Sequence, residues 1–315
     1  MKKLWHNILY YTLRGTWLAL SLLPLWLHYA FAAVMSVILA HVFRYRRKVI
    51  DKNLRAAYPY KSAAELAHIR RRFYRVFCDY LVEMVKFATM RRANVSRRVV
   101  FENAEMVEQF LSKGQSVAMY LGHYGNWEWV TWVRQRVSGD YWGGQIYHPL
   151  ENAVVDRLMV TVRERMGSAC IPMSETLRWV INAKRDGKPS FIGYISDQVP
   201  TWHNIHHWLR FMNQTTPVFT GTERIARKFG QAVVYLDVRC VKRGYYVCTF
   251  RLITADPQKM REHEITDAYF AMLEKTINRA PEYWLWSHNR WKRTREEFNR
   301  RYKVVDGRVV EREAD

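Results

Sequence analysis

Acid and cysteine are scarce in this chain. Against 50 lysines and arginines stand 29 aspartates and glutamates, giving a net charge of +21 over 315 residues. The four cysteines, Cys78, Cys170, Cys240 and Cys248, form no C-x-x-C pair. A disulfide-rich secreted scaffold is therefore excluded, and reduced thiols in a cytosol-facing protein fit better. Gly-X-Y periods, heptad runs and repeats of roughly 20–50 residues are all missing, which removes collagen, long coiled coils and solenoids. No serine occupies a G-x-S-x-G elbow. Helix-turn-helix, zinc-finger and ribonucleoprotein signatures are also lacking. What remains is 49% hydrophobic residues, too many for a disordered chain. The length suits one or two domains with a sizeable core. Thirteen tryptophans and nineteen tyrosines accompany the positive charge. Such a surface suits partners that are anionic and apolar together, and both nucleic acid and anionic lipid answer to that.

The first 50 residues favour lipid. From Gly15 to Phe43 runs a stretch of 29 residues with no formal charge, longer than the roughly 20 needed to cross a bilayer core. Pro24 and His28 interrupt it. It is expected to form either one kinked, tilted membrane helix or a helical pair turning near Pro24. Lys2, Lys3 and Arg14 precede the run, and Arg44, Arg46, Arg47 and Lys48 follow it. Basic flanks on both sides suit a hairpin with both ends in the cytoplasm, or a helix lodged in one leaflet. A secretory signal cleaved at Ala30-Phe31-Ala32 fits less well, because the run continues past that site into a basic cluster. A buried core helix is the plainer alternative. The expected organisation is a membrane-anchoring segment over 1–50, an α/β domain over 51–305 and a polar, frayed tail over 306–315.

Ser62-Ala63-Ala64-Glu65 has the form of a capping box opening a helix. Its apolar stripe runs through Leu66, Ile69, Phe73, Phe77, Leu81 and Met84 to about Met90. Arg70, Arg71, Arg72 and Arg75 lie on the other face, either against anionic head groups or simply solvated. Beyond Asn103, strands are expected at 116–121, 144–147 and 190–195, with a hairpin over 232–241 and 245–253 around Lys242-Arg243-Gly244. Helices are expected at 104–113, 127–137, 152–166, 175–185, 218–229 and 266–279. Interleaved helices and strands with a late antiparallel pair predict an α/β fold, a mixed central sheet flanked by helices.

One H-x-x-x-x-E pair occurs, His123 and Glu128, and alone it would mean little. Its setting gives it weight. His123 directly follows an apolar strand, where reactive groups of α/β sheets gather. Gly122 and Gly125 permit a tight turn. Asn126 is a good cap, and the N–H groups around Gly125 and Asn126 are candidate oxyanion donors. Glu128 is expected to orient the imidazole, as the acid does in a Ser-His-Asp triad. His123 would then deprotonate a hydroxyl carried by the substrate.

The segment Gly122-His123-Tyr124-Gly125-Asn126-Trp127-Glu128 resembles the signature of the late acyltransferases of lipid A biosynthesis, within the lysophospholipid acyltransferase superfamily. The resemblance extends to Arg44-Tyr45-Arg46-Arg47-Lys48, Phe211-Met212-Asn213-Gln214, Thr220-Gly221-Thr222-Glu223 and the closing Pro281-Glu282-Tyr283-Trp284-Leu285-Trp286-Ser287-His288-Asn289-Arg290-Trp291-Lys292. It looks most like the Bacteroidetes-type branch. It implies a glycerolipid-acyltransferase-like fold, acyl carrier protein as donor, a lipid A precursor hydroxyl as acceptor, and the cytoplasmic face of the inner membrane. By the same resemblance His123 is the base and Glu128 its partner, Arg163 and Asp197 contact substrate, and no cofactor or metal is needed. His148 stands where many relatives carry Arg or Lys, so it is not counted as a phosphate ligand. Acylation of a lysophospholipid, an ornithine lipid or a glycolipid is the nearest alternative. A basic nucleic-acid-binding protein is the distant one. His203, His206 and His207 have no Cys or acid beside them at ligand spacing, so packing around Trp202 and Trp208 is expected there rather than a metal.

Overall fold

Proline at position 24 divides the apolar run, because it can open a helix but not continue one. The computed structural model describes residues 2–305 and 307–312. Helix α1 (Lys2–Leu22) ends just before the break, and α2 (Leu25–Val37) starts after it and continues through a single π-helical turn, Ile38–Val42. Next come α3 (Arg47–Ala57), the long α4 (Ala63–Phe87) and α5 (Arg92–Arg98). The α/β part then runs β1 (Val99–Glu102), α6 (Ala104–Ser112), β2 (Val117–Leu121), β3 (Trp142–Tyr147), α7 (Ala153–Glu164), β4 (Ala169–Pro172), α8 (Thr176–Arg185) and β5 (Ser190–Ile195). It continues with β6 (His207–Phe211), β7 (Gln214–Val218), α9 (Gly221–Phe229), β8 (Ala232–Lys242), β9 (Tyr245–Thr254) and α10 (Glu264–Arg279). The chain closes with α11 (Arg295–Arg301), β10 (Tyr302–Val305) and β11 (Arg308–Glu311).

Seven strands form the central sheet in the order β1-β9-β8-β2-β5-β3-β4. Strands β8, β2, β5, β3 and β4 are parallel, while β9 runs antiparallel to β8 and carries β1 parallel to itself. The expected mixed α/β sheet is what forms. Central strands β2 and β5 are covered on both faces, so their residues read as unbroken apolar runs. They pair in register from Val117↔Phe191 to Leu121↔Ile195. Their carboxyl ends therefore emerge side by side, which decides where the site lies.

The N-terminal helices pack on different partners. Tyr10 of α1 reaches Thr161 of α7, and Trp17 donates to the Val85 carbonyl near the end of α4. Helix α2 steps backwards along α4: Tyr29 meets Glu83, and beyond the helix the Tyr45 carbonyl accepts from Tyr74. Leu25–Val42 is long and apolar enough to cross a membrane, and only 11% of it is buried. Trp26 (70% exposed) and Phe31 (63%) stand on its open side.

Where the elements differ from expectation, short-range chemistry explains why. The capping box forms, with the Ser62 hydroxyl accepting from the Glu65 amide and the Glu65 carboxylate accepting from the Ser62 amide. Residues after Trp127 make a 3-10 helix, Trp129–Gln135, instead of the expected α-helix. Val218 ends β7, so α9 starts only at Gly221. Four residues of the tail expected to fray instead form the second strand of a hairpin: Arg308–Glu311 pairs with Tyr302–Val305. Tyr302 and Val309 join a small cluster with Ile205 and Phe298, which supplies the apolar contact a lone hairpin would lack. Asp306 and residues 313–315 of that tail lie outside the described residues.

Candidate active site

Two glycines shape the turn that follows β2. A Cβ on Gly122 would come within 2.7 Å of the Leu273 side chain. Gly125 has φ +63°, and a Cβ there would meet Tyr246 at 3.2 Å, so neither position tolerates a side chain without movement. The closing segment of the chain clamps this turn. Leu285 donates to the His123 carbonyl (3.1 Å) and Gly125 to the Tyr283 carbonyl (3.0 Å). The Gly125 N–H is therefore already engaged and cannot serve as the oxyanion donor the sequence suggested. Asn126 does cap, accepting from Trp129 N at 3.1 Å, but its amide nitrogen points inward to Glu83.

The imidazole of His123 is held by Asp197. Nδ1 lies 2.6 Å from Asp197 Oδ1, the His123 amide donates to Oδ2 (3.0 Å), and Trp284 Nε1 donates to the same oxygen (2.8 Å). Asp197 is 2% exposed. Burial pushes its carboxyl up, but the adjoining His123 and the three donors outweigh it and hold the group at about 2. An ionised carboxylate only accepts, so Nδ1 carries a proton, and in the neutral ring Nε2 then holds the lone pair. Nε2 faces the Gln198 side-chain amide at 3.2 Å, with Trp127 edge-on to the ring at 5.2 Å. Trp127 in turn stacks on Tyr80 of α4 at 4.1 Å. Among the described residues no hydroxyl or thiol hydrogen-bonds the imidazole.

This corrects two expectations. Glu128, expected to orient the ring, turns instead to α7, where Arg163 grips it through Nε (2.7 Å) and Nη2 (2.6 Å). Asp197, expected to touch substrate, sits behind the imidazole. The cause is topological: β5 pairs directly with β2, so the residues just beyond each strand meet, whereas the 3-10 turn carries Glu128 away. Burial works against the Arg163 charge, but the two bonds from Glu128 more than offset it and raise its pKa. Two of the five guanidinium N–H donors are spent, which leaves Arg163 able to bind an anion as well.

Residues 2–293 match the model of the bacterial lipid A biosynthesis acyltransferase family. The chain belongs to that family. Among curated proteins none matches it. As a lipid A biosynthesis acyltransferase it transfers an acyl group, chemistry for which a base with no enzymic nucleophile is sufficient.

Other side chains of this acyltransferase reach the site without having stood out in the sequence. Arg290 is 1% exposed and gives one hydrogen bond, Nη2 to the Pro217 carbonyl at 2.7 Å, while Nε and Nη1 have no partner among the described residues. Burial lowers its pKa to about 10, and Asp197 works the other way. His288 is likewise pushed down, to about 4, chiefly by burial. The histidine group named earlier disperses: His207 bonds Asp267 (2.7 Å) and stacks on His263, whereas His203 stands edge-on to Tyr302, on which Trp202 stacks.

Glu83 ties helix α2 of the acyltransferase to the turn that carries His123. It is fully buried, and its carboxylate accepts from Tyr29 of α2 (2.7 Å), Asn126 (2.7 Å) and Tyr246 (2.9 Å). Its own carbonyl accepts from Trp129 Nε1 at 3.1 Å. Burial pushes the carboxyl up to about 7, against the pull of the three donors. Between its ordinary value and about 7 the folded protein therefore binds the proton more tightly than the unfolded chain does. Stability falls as pH rises through that window. The expected loss from this group between about pH 5 and pH 8 is on the order of 3 kcal/mol. Glu83→Gln should flatten that part of the dependence, and thermal melts of both proteins at the two pH values check it. Equal slopes would show that Glu83 does not titrate there.

Proposed function

We propose that the enzyme transfers a fatty acyl chain from an acyl carrier protein thioester to a hydroxyl of a lipid A precursor, at the cytoplasmic face of the inner membrane. The observation that carries this reading is the single imidazole with Nδ1 locked to a buried carboxylate and Nε2 turned away from it, beside the Gln198 amide. Nε2 takes the proton of the acceptor hydroxyl as that oxygen attacks the thioester carbonyl. Asp197 stabilises the imidazolium so formed. The Gln198 amide lies beside Nε2 and can donate to the carbonyl oxygen as it gains charge; removing one such donor typically costs about 10²–10³-fold in rate. Collapse expels the thiolate, which takes the proton from Nε2, and His123 returns to its starting form. The +21 charge favours both an acidic carrier protein and a phosphorylated lipid. The exposed apolar residues of α2 suit a bilayer.

Mass spectrometry of the products tests it. Purified protein with acyl carrier protein thioester and a tetra-acylated lipid A precursor should give a product heavier by one acyl chain. His123→Ala, shown to be folded, should give none. Transfer that persists in His123→Ala would sink the mechanism. A mass gain seen only with another lipid acceptor would replace the substrate and keep the chemistry.

A further inference from the structure

The basic face of α4 is sorted by the structure into residues that are paired and two, Arg71 and Arg75, for which no ion pair forms among the described residues; of these two, Arg75 lines a cleft. Arg70 is paired with Asp51, and Arg72 reaches Glu282 at 2.5 Å. Arg75 makes no hydrogen bond or ion pair among the described residues, although its charge acts on Asp79. It stands at a cleft of about 220 Å³ between α4 and the β8–β9 turn, also lined by Arg72, Val76, Arg243, Tyr246 and Tyr283.

The two acids in this cleft are already answered. Asp79 receives two hydrogen bonds from Arg243, at 2.8 and 2.5 Å. Glu83 turns inward to its three donors, and burial holds it near neutral pH. With Arg72 answered by Glu282 and Arg243 by Asp79, Arg75 is the lining arginine left without an ion pair. More positive charge surrounds the mouth. Lys242 and Arg98 both lie against the Tyr245 ring, at 4.1 and 4.5 Å.

The cleft also abuts the apolar N-terminal helix. Arg243 donates to the Tyr29 carbonyl (3.1 Å) and covers the Tyr29 ring (4.2 Å). Gly244 fits so closely beneath it that a Cβ there would fall 2.0 Å from the Tyr29 hydroxyl. Tyr29 belongs to Leu25–Val42, the segment suited to a bilayer. A cavity with one unpaired arginine at its mouth, walls of Val76, Tyr246 and Tyr283, and an apolar helix suited to a bilayer at its edge matches an amphiphile with an anionic head. We infer that this cleft binds the phosphodiester headgroup of a bilayer lipid, with Arg75 as its principal ligand. The inference does not depend on which acceptor is acylated.

Binding of dihexanoyl phosphatidylglycerol to the detergent-solubilised full chain, followed by calorimetry without an acyl donor, tests it. Dihexanoyl phosphatidylcholine and inorganic phosphate serve as the other probes. Arg75→Gln should weaken phosphatidylglycerol binding about tenfold or more, the worth of one charge-assisted hydrogen bond, and Arg75→Lys should recover part of it. Arg75 is exposed and makes no hydrogen bond, so neither change threatens the fold. Phosphatidylglycerol affinity unmoved by Arg75→Gln would overturn the inference. So would inorganic phosphate binding as tightly as the lipid, or phosphatidylcholine matching phosphatidylglycerol.

Discussion

Asp197→Asn should lower kcat by about 10⁴-fold, the cost of losing the correct imidazole tautomer in a comparable triad, while the melting temperature changes little. The carboxylate accepts three hydrogen bonds, from the His123 amide, His123 Nδ1 and Trp284 Nε1. An asparagine has one acceptor oxygen and must turn an NH₂ toward at least one of these donors. If that NH₂ faces the ring, Nδ1 accepts instead of donating, the proton moves to Nε2, and the lone pair that removes the acceptor's proton is gone. Because the change leaves shape and volume nearly intact, the loss should appear in kcat more than in KM. A variant that keeps a tenth or more of wild-type kcat would show that Asp197 is not the orienting acid.

Glu128→Gln should behave differently, because its carboxylate serves Arg163. Both side chains are mostly buried, 5% exposed for Glu128 and 20% for Arg163. Removing one charge leaves the other without its counter-ion, and breaking such a pair typically costs about 3–5 kcal/mol. A fall of several degrees in the melting temperature is expected, and a second change, Arg163→Met, should recover part of it. Non-additivity of that kind is the signature of a direct pair. Should Glu128→Gln melt with the wild type yet lose turnover as deeply as Asp197→Asn, the acid placed on the imidazole here would be the wrong one.

How much of this was legible in the sequence depends on the range of the interaction. The Ser62 capping box, the strand at 190–195, the Lys242-Arg243-Gly244 turn and the break at Pro24 are all settled within a few residues, and the sequence shows them. The base was legible for the same reason, since β2, Gly122 and His123 are contiguous. Its partner was not. Which carboxylate meets the imidazole depends on β5 lying next to β2, and strand order is decided by packing across the whole sheet. Glu128, five residues along, was the nearer guess and proved to be spoken for by α7. Gln198, Arg290 and Glu83 were hidden likewise, because each acts through neighbours from 43 to 163 positions away (Glu83 to Asn126, Glu83 to Tyr246) or through burial that no local pattern reveals. Strand β11 looked like a polar tail because only Val309 of it faces inward.

The clamp that Tyr283–Leu285 places on the catalytic turn also sets an order of events in the making of the protein. A chain emerges from its N-terminus, so the two apolar helices are available to the bilayer first. The turn bearing His123 follows, and the acid that orients it comes later still. Trp284, which secures that acid, and the backbone groups that hold the turn arrive in the last tenth of the chain, where Asn53 of α3 fastens them through the Trp286 and His288 carbonyls. A partly synthesised chain can thus hold its apolar N-terminal helices while the His123 turn is still unclamped. That turn takes its final shape only when the closing segment has packed over it, so termination before Tyr283 leaves His123 without the groups that hold its turn and its orienting acid.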